Sequence, residues 1–587
     1  MQQLKRLVKK AVGEDGRGVG RGLALVGGFM AFAICLGEGA VAQDITRASV
    51  DSAGNEGDGL SGAVSVSSDG VWVAFESDAT NLVSGDTNGV RDVFVHNRVT
   101  LATIRVSEVA GVQGDGPSGR PSISADGTVV AFESEARNLV IGDMNGVADV
   151  FLVELGTGAI ERVSLDGSGV EGNGESREPA VSRDGRYVAF YSSASNLHSN
   201  DYNNSRDVFV RYRGANVTML ASVALGGLAG NGHSGYFTGV AISGDGRKVA
   251  FISHADDLVP ADTNGMADIF VYDTNSLVAV RVSEASGGTE ADLASRACAI
   301  SDDGLRVTFD SAATNLVLND LNGAPDVFVH DLLGATTRRV SVSTGGSEAN
   351  SYSRTPRISD DGSVVVFESA ASNLVVGDMN GMNDVFMHDV ASGATLRVSQ
   401  DPNGVGGDGA SSFSDLGADG ALVAFGSNAR NLVFGDMNAI GDVFIWEDSG
   451  GCGGVAPSNY CISAANSTGA GAVMNWAGTT FVSNNDLALL ADGAVPNQFG
   501  IFYYGPSQVL FVFGNGYRCV GGSVFRLPPI QADAGGTVMY ALDNTNPPQA
   551  AGQIIGGSTW NFQFWYRDPG QGSGFNLSDG LEVFFCP

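Results

Sequence analysis

The chain has 587 residues, a formal net charge of −32, 83 glycines and 43% hydrophobic residues. That apolar share supports a packed core and excludes wholesale disorder, and the length implies more than one domain. The acidic balance excludes nucleic acid and anionic membrane surfaces as partners, because both need clustered Lys and Arg.

Residues 1–42 read as an export signal. Lys5, Arg6, Lys9, Lys10, Arg17 and Arg21 form a basic start. Residues 22–36 are apolar but too short to span a bilayer comfortably. Ala40-Val41-Ala42 supplies a small-x-small cleavage site. The expected location is outside the cytoplasm: secreted, at the cell surface or in a periplasm. No later apolar run is long enough for a membrane helix, so none is expected in the mature chain.

Between residues 43 and 449 one unit recurs seven times. Asp-Gly pairs begin at Asp69, Asp126, Asp184, Asp245, Asp303, Asp361 and Asp419. Asp-Val/Ile-Phe triplets begin at Asp92, Asp149, Asp207, Asp268, Asp326, Asp384 and Asp442, in step with them. Each unit reads as four short strands. In the second unit they fall at 121–124, 129–134, 149–153 and 160–164, with Asp126-Gly127 as a tight hairpin turn. Four antiparallel strands repeated radially make an all-β, seven-bladed β-propeller. The seventh unit lacks a fourth strand. Thr46-Arg-Ala-Ser-Val50 resembles the fourth strand Thr103-Ile-Arg-Val-Ser107, so residues 46–50 are expected to complete the seventh blade and remove a free sheet edge.

The pattern Ser182-Arg-Asp-Gly-Arg-Tyr-Val-Ala-Phe190 is similar to the repeat of TolB-type, WD-like propellers, over about residues 43–448. The resemblance implies the fold. It also implies a spread of roles, from periplasmic adaptors to substrate-gating domains of peptidases and some lyases. The α/β-hydrolase domain of the peptidases is missing from the sequence.

Each unit also carries Asp-x-Asn-(Gly)-x-x-Asp. The copies are Asp86/Asn88/Asp92, Asp143/Asn145/Asp149, Asp201/Asn203/Asp207, Asp262/Asn264/Asp268, Asp320/Asn322/Asp326, Asp378/Asn380/Asp384 and Asp436/Asn438/Asp442. One reading is a structural turn, in which the first Asp caps backbone N–H groups and Asn-Gly adopts left-handed geometry. The other is calcium, since oxygen atoms at positions 1, 3 and 7 resemble half of an EF-type loop. In a propeller these loops share one face with the blade-to-blade connections, so that rim is expected to be acidic and to hold the ligand. The repeated Phe residues, such as Phe75 and Phe94, are expected to pack between blades.

From residue 450 to 587 the repeat stops and four cysteines appear: Cys452, Cys461, Cys519 and Cys586. In an exported chain they read as two disulfides, with three pairings open. Alternating segments such as Gln508-Val-Leu-Phe-Val-Phe513 and Trp560-Asn-Phe-Gln-Phe-Trp-Tyr566 suggest a disulfide-stapled β-sandwich. This stretch resembles a C-terminal module of secreted bacterial proteins. Phe564, Trp565 and Tyr566 read as a core strand, and Arg567 with Asp568 as an ion pair at a turn. Cys298, alone in the propeller, reads as a buried thiol.

No catalytic motif is present, and no residue is assigned a catalytic role. The leads are departures from the repeat: His198, Asn200 and Tyr202 in the third unit, and His254 with Asp256-Asp257 in the fourth. The expected function is an exported, non-enzymatic binding or scaffold protein using its acidic propeller face for a protein or glycan. The alternatives are a carbohydrate-active lyase or glycosidase, and a calcium-stabilised structural envelope protein.

Overall fold

A computed structural model describes residues 44–236, 239–402, 404–433, 435–447, 457–477, 487–543, 549, 552–554 and 558–585. The expected export leader, Cys452 and Cys586 lie outside them. Among the described residues no helix is long and apolar enough to cross a membrane.

Seven four-stranded antiparallel sheets follow one another from residue 44 to residue 447. Strand β1 is Asp44–Arg47. The first blade is β2 (Ser61–Val66), β3 (Trp72–Ser77), β4 (Asp92–Asn97) and β5 (Thr103–Arg105). Each inner strand touches the inner strands of both neighbouring sheets, and the seventh touches the first, so the sheets form a closed ring. β1 completes the seventh blade. It pairs antiparallel with Asp442–Glu447, with Ile45 opposite Trp446 and Arg47 opposite Phe444.

The Asp-Gly hairpins join the first and second strands of each blade. In the first, Ser67 Oγ donates to Asp69 Oδ1 at 2.6 Å, and the same oxygen accepts the Val71 N–H at 3.0 Å. Gly70 has φ +68°, a conformation that costs an L side chain energy. The residue before each Asp faces the axis. There the backbones of Ser68, Ala125, Arg183, Gly244, Asp302, Asp360 and Ala418 hydrogen-bond head to tail. Each N–H donates to the next C=O at 2.9–3.1 Å, and Ala418 donates back to Ser68. A closed cycle of seven amides therefore constricts the channel at the hairpin face.

The inner strands start earlier than the sequence suggests. In the second blade the strand is Ser118–Ile123, with a bulge between Gly119 and Ser122. Pro121 lies inside that bulge, where a missing N–H costs nothing, so proline marks the bulge and not the strand's beginning.

The paired Phe residues pack as expected. Phe75 and Phe94 and their counterparts stand 5.8–6.0 Å apart across the second and third strands. The first pair also meets Leu422, Ala424, Val443 and Ile445 of the seventh blade. These contacts tie blade to blade through apolar burial.

Three buried histidines end third strands. His388 Nδ1 lies 2.8 Å from Thr395 Oγ1, and that hydroxyl donates to the Val342 carbonyl at 2.5 Å. The histidine must therefore donate from Nδ1. His96 and His330 repeat the arrangement with Thr103 and Thr337. Burial, with Arg338 adding to it, pushes His388 down from 6.5 to about 4. A folded pKa below the unfolded one means stability is complete above pH 6.5 and is lost as pH falls toward 4. Relative to His388→Gln, the native chain is expected to lose about 3 kcal/mol across that window. Urea unfolding of both proteins at several pH values checks this, and parallel curves would refute it.

The C-terminal residues form a second all-β region. Its largest sheet orders Ser458–Tyr460, Phe575–Phe585, Ser558–Arg567, Phe499–Gly505 and Phe525–Arg526, with Ile530–Gln531 also pairing Phe499–Gly505. A three-stranded sheet holds Val473–Ala477, Ala488–Asp492 and Val538–Ala541. Phe502, Phe562, Phe564, Tyr566, Leu489 and Leu581 share one core. Cys461 and Cys519 form a disulfide. Three details differ from expectation. Ser507–Phe513 is a strand of a hairpin exposed along most of its length, not an alternating sandwich strand. Trp565 is half-buried and packs on Phe575, away from Phe564 and Tyr566. Asp568 is buried and accepts the Ser467 N–H at 3.1 Å, while no ion pair with Arg567 forms among the described residues.

Candidate functional site

The seven acidic loops join the second and third strands of their blades. Alternation of strand direction puts them on the face opposite the hairpins, beside the connections leading to the next blade. Side chains tie the two sets together. The last Asp of each loop accepts a serine hydroxyl from the end of the fourth strand at 2.5–2.6 Å in all seven blades.

The asparagines depart from the calcium expectation, which gave each of them a ligand oxygen. In Asn88, Asn145, Asn203, Asn264, Asn322, Asn380 and Asn438 that oxygen, Oδ1, instead accepts the N–H two residues on, at 2.6–3.2 Å. Their Nδ2 groups donate to a carbonyl of the following connection, at 2.6–3.1 Å. In all but Asn203 the same Nδ2 also donates to the last Asp of the loop, at 2.7–3.2 Å. The amide therefore turns its N–H donors, not its lone pairs, toward the carboxylates. A cation needs oxygen lone pairs, so these side chains build the turn.

The sequence reading missed what stands between the carboxylates. Four trios could each hold an ion: Glu56/Asp436/Asp442, Asp143/Asp149/Glu171, Asp262/Asp268/Glu290 and Asp320/Asp326/Glu348, with ligand atoms within 4.8 Å of one another. Each already surrounds an arginine from the fourth strand. Arg339 Nη1 lies 2.6 Å from Glu348, 3.0 Å from Asp326 and 3.8 Å from Asp320. Arg47 lies 2.5, 3.1 and 3.4 Å from Glu56, Asp436 and Asp442. Arg162 meets Asp143, Asp149 and Glu171, and Arg281 meets Asp262 and Glu290. The first and sixth blades have Arg105 and Arg397 in the same role, against Asp86/Asp92 and Asp378/Asp384. The signal was present in the recurring Thr-x-Arg-Val-Ser, where the arginine looked like an ordinary strand residue.

The third blade breaks the pattern. Leu220 faces Phe209 across the sheet, the position that Arg162 and Arg339 take opposite Phe151 and Phe328. No well-formed hydrogen bond reaches either oxygen of Asp201 or Asp207 Oδ2; the neighbouring donor is Asn203, with its backbone N–H toward Asp201 and its amide toward Asp207. Burial raises both pKa values, that of Asp207 to about 7, with Asp201 and Asp257 adding to the rise. Of the departures read from the sequence, Asp257 thus joins this group. His198 Nδ1 accepts the Asn200 N–H at 3.2 Å, and Tyr202 is exposed.

The same loops carry large apolar side chains at two positions flanking the first Asp. Ile141 and Val376 are fully exposed, and Met144, Tyr202, Leu318, Leu321, Met379 and Met437 are 76–91% exposed. Exposed carboxylates, Asp58, Asp115, Asp292 and Asp408, lie on the adjacent connections.

Along the axis runs a channel of about 270 Å³. Arg357 and Asp415 of the last two blades face it where the other blades place Ser or Ala. Burial raises the Asp415 pKa, Arg357 opposes the rise, and Asp415 Oδ2 accepts the Val66 N–H at 3.0 Å. Nearer the loop face, carboxylates of the second strands hold the bulges of the next blade. Glu76 accepts the Arg120 N–H at 3.0 Å, Glu133 the Glu178 N–H at 2.9 Å, and Glu368 the Phe413 N–H at 2.8 Å. These carboxylates position the bulges.

No protein-family model matches the chain, and no curated protein matches it in sequence. Among solved structures it is similar to TolB from Acinetobacter baumannii, at 13% identity and TM-score 0.32, over 58% of this chain and 63% of that one. It is similar to an oligogalacturonate lyase in complex with manganese, at 12% identity and TM-score 0.43, over 70% and 94%. It is also similar to Pyrococcus horikoshii acylaminoacyl peptidase, at 10% identity and TM-score 0.40, over 74% and 57%.

Proposed function

We propose that this chain is an exported, non-enzymatic propeller that binds a partner protein through its acidic-loop face. One observation carries the reading: loops of five blades present large apolar side chains almost fully to solvent, beside exposed carboxylates. Single exposed apolar residues are ordinary, but a set on equivalent loops of one face fits a protein interface. The net charge of −32 selects a basic partner surface and speeds its approach. The loop turns are held by internal hydrogen bonds and arginines, so the apolar tips are pre-positioned and lose little freedom on binding.

The test compares the native chain with two variants in pull-downs from an envelope extract, followed by titration of the captured protein. The first variant combines Ile141→Ser, Met144→Ser, Val376→Ser and Met379→Ser. The second, Arg247→Ala, alters the hairpin face. The expected result is one partner retained by the native chain and by Arg247→Ala, with the loop variant binding at least about tenfold more weakly. Equal binding by the loop variant would refute the reading.

A further inference from the structure

We propose that the third blade binds one divalent cation of the calcium type between Asp201 and Asp207, at the place the other six blades fill with an arginine.

The argument begins with the repeat. Six loops neutralise their two aspartates with a guanidinium supplied by the fourth strand. In the third blade the fourth strand is Val217–Leu220, and Leu220 ends it at the arginine's register. Nine residues after each of Arg47, Arg162, Arg281 and Arg339 comes a glutamate, but nine residues after Leu220 comes Ala229. The cation has gone while both aspartates remain; the distal acid is missing as well, as it is in the first and sixth blades, which keep Arg105 and Arg397. Asp201 is 4% exposed and Asp207 is fully buried, and no cationic side chain pairs with either among the described residues.

The second observation is the state of the oxygens. Both carboxylate oxygens of Asp201, and Asp207 Oδ2, are buried and have no well-formed hydrogen bond. In the other six blades the Asn amide reaches that last oxygen, whereas Asn203 gives its Nδ2 to Gly230 O at 2.6 Å. Three buried acceptor atoms thus lack a well-formed hydrogen bond, and Asn203 offers only its backbone N–H toward Asp201 and its amide toward Asp207. A buried carboxylate without a counter-charge is costly. Two carboxylates offering oxygen only, with no thiolate and no imidazole nitrogen pairing with them, suit a hard cation.

A third change points the same way. Six blades place an Asn after the second strand, and its Nδ2 donates to the connection's backbone, as Asn196 does to Glu171 O at 2.9 Å and Asn315 to Glu290 O at 2.8 Å. The position serving the third blade's connection holds Asp257, which accepts the Asn231 N–H at 3.0 Å and carries no amide donor. An amide donor has become a further negative charge. Glutamate to alanine cancels arginine to leucine, and asparagine to aspartate leaves the locus more anionic than those with both, which a bound dication offsets. The cation would tether the loop that carries the exposed Tyr202.

The test is calcium binding by the full chain after EDTA treatment and desalting, read by calorimetry and by thermal unfolding. The probe is calcium chloride, with magnesium chloride as a second arm. Expected is about one equivalent of calcium per chain, a melting temperature that rises and saturates with it, and weaker binding of magnesium. Asp201→Asn should raise the dissociation constant at least about tenfold. Leu220→Arg should abolish calcium binding and melt above the calcium-free native chain, because it installs the guanidinium of the other blades. Asp378→Asn in the sixth blade should leave calcium binding unchanged. Absence of saturable binding at millimolar calcium, or binding undiminished by Asp201→Asn, overturns the proposal. Asp201→Asn keeps the test decisive if Leu220→Arg does not fold.

Discussion

Arg339→Leu is expected to lower the unfolding free energy by about 3–5 kcal/mol, the range for removing one partner of a buried ion pair. The guanidinium is 10% exposed, and its partners Asp320, Asp326 and Glu348 are 3%, 0% and 17% exposed, so solvent screens the interaction little. The loss comes from three carboxylates left facing one another, more than from the attraction removed. Two consequences separate this cause from a simple cavity. Adding Asp320→Asn and Glu348→Ala should recover part of the loss, because the repulsion goes with the charges. The deficit should also shrink at acid pH. Burial already pushes Asp320 up to about 6 with its arginine in place. A folded pKa above the unfolded one favours the folded state increasingly as pH falls through about 6, and removing the arginine strengthens that trend. Equilibrium denaturation of the single and triple variants at pH 7.5 and 5 measures both effects. A loss below about 1 kcal/mol, or one independent of pH, would show that the arginines are incidental.

A chain beginning at residue 51 is expected not to close its ring. The removed residues include Ile45 of β1, 6% exposed, and Ala48 just after it, 2% exposed, both in the interior. Ser49 Oγ donates to Asp442 at 2.6 Å, and Arg47 neutralises Glu56, Asp436 and Asp442. Without these residues the strand Asp442–Glu447 presents an unpaired backbone edge, the usual template for association between chains. The combined loss should reach the order of 5 kcal/mol, a large share of a domain's whole stability. Size-exclusion chromatography should show oligomers or aggregate, and a synthetic peptide covering residues 43–52 should restore the monomer. A truncated chain that stays monomeric with an unchanged melting temperature would mean that closure rests on the inner strands alone.

Much of the fold was legible because the repeat states it fourteen times. Asp-Gly and Asp-Val-Phe in step marked the blades, and Thr46-Arg-Ala-Ser-Val50 pointed to the closure, although the strand is Asp44–Arg47 and Arg47, one residue earlier than that alignment, takes the register of Arg105. The candidate site was legible only in outline. Asp143, Asn145 and Asp149 stand in one loop and were readable as a motif. Which end of the Asn145 amide faces Asp149 was not, because oxygen and nitrogen share one side chain and only the folded turn chooses between them. Arg162 and Glu171 come from a strand and a connection up to 28 residues away, and only pleating and chain reversal bring them to those aspartates. The exposed loop tips were hidden for a different reason. Val-Ile or Val-Val before Gly-Asp looks like the end of a buried strand, yet Leu139 is buried while Ile141, two residues on, is fully exposed. The bulge carboxylates Glu133 and Glu368 serve backbone N–H groups of the next blade, and no side-chain pattern announces such a bond.

The cycle of seven amides at the hairpin face has a temporal consequence. Its bond from Ala418 to Ser68 spans 350 residues of chain, and β1 meets its partner strand across about 400. The first cannot form until residue 418 has been synthesised and the second not before the strand Asp442–Glu447, so the nascent propeller keeps an open end of sheet until its last strand emerges. Joining ends so distant is entropically costly and slow. Six completed blades are therefore an arc waiting for its last member. Loss of one unit leaves a gap that adjacent amides cannot span, so the ring counts its own repeats.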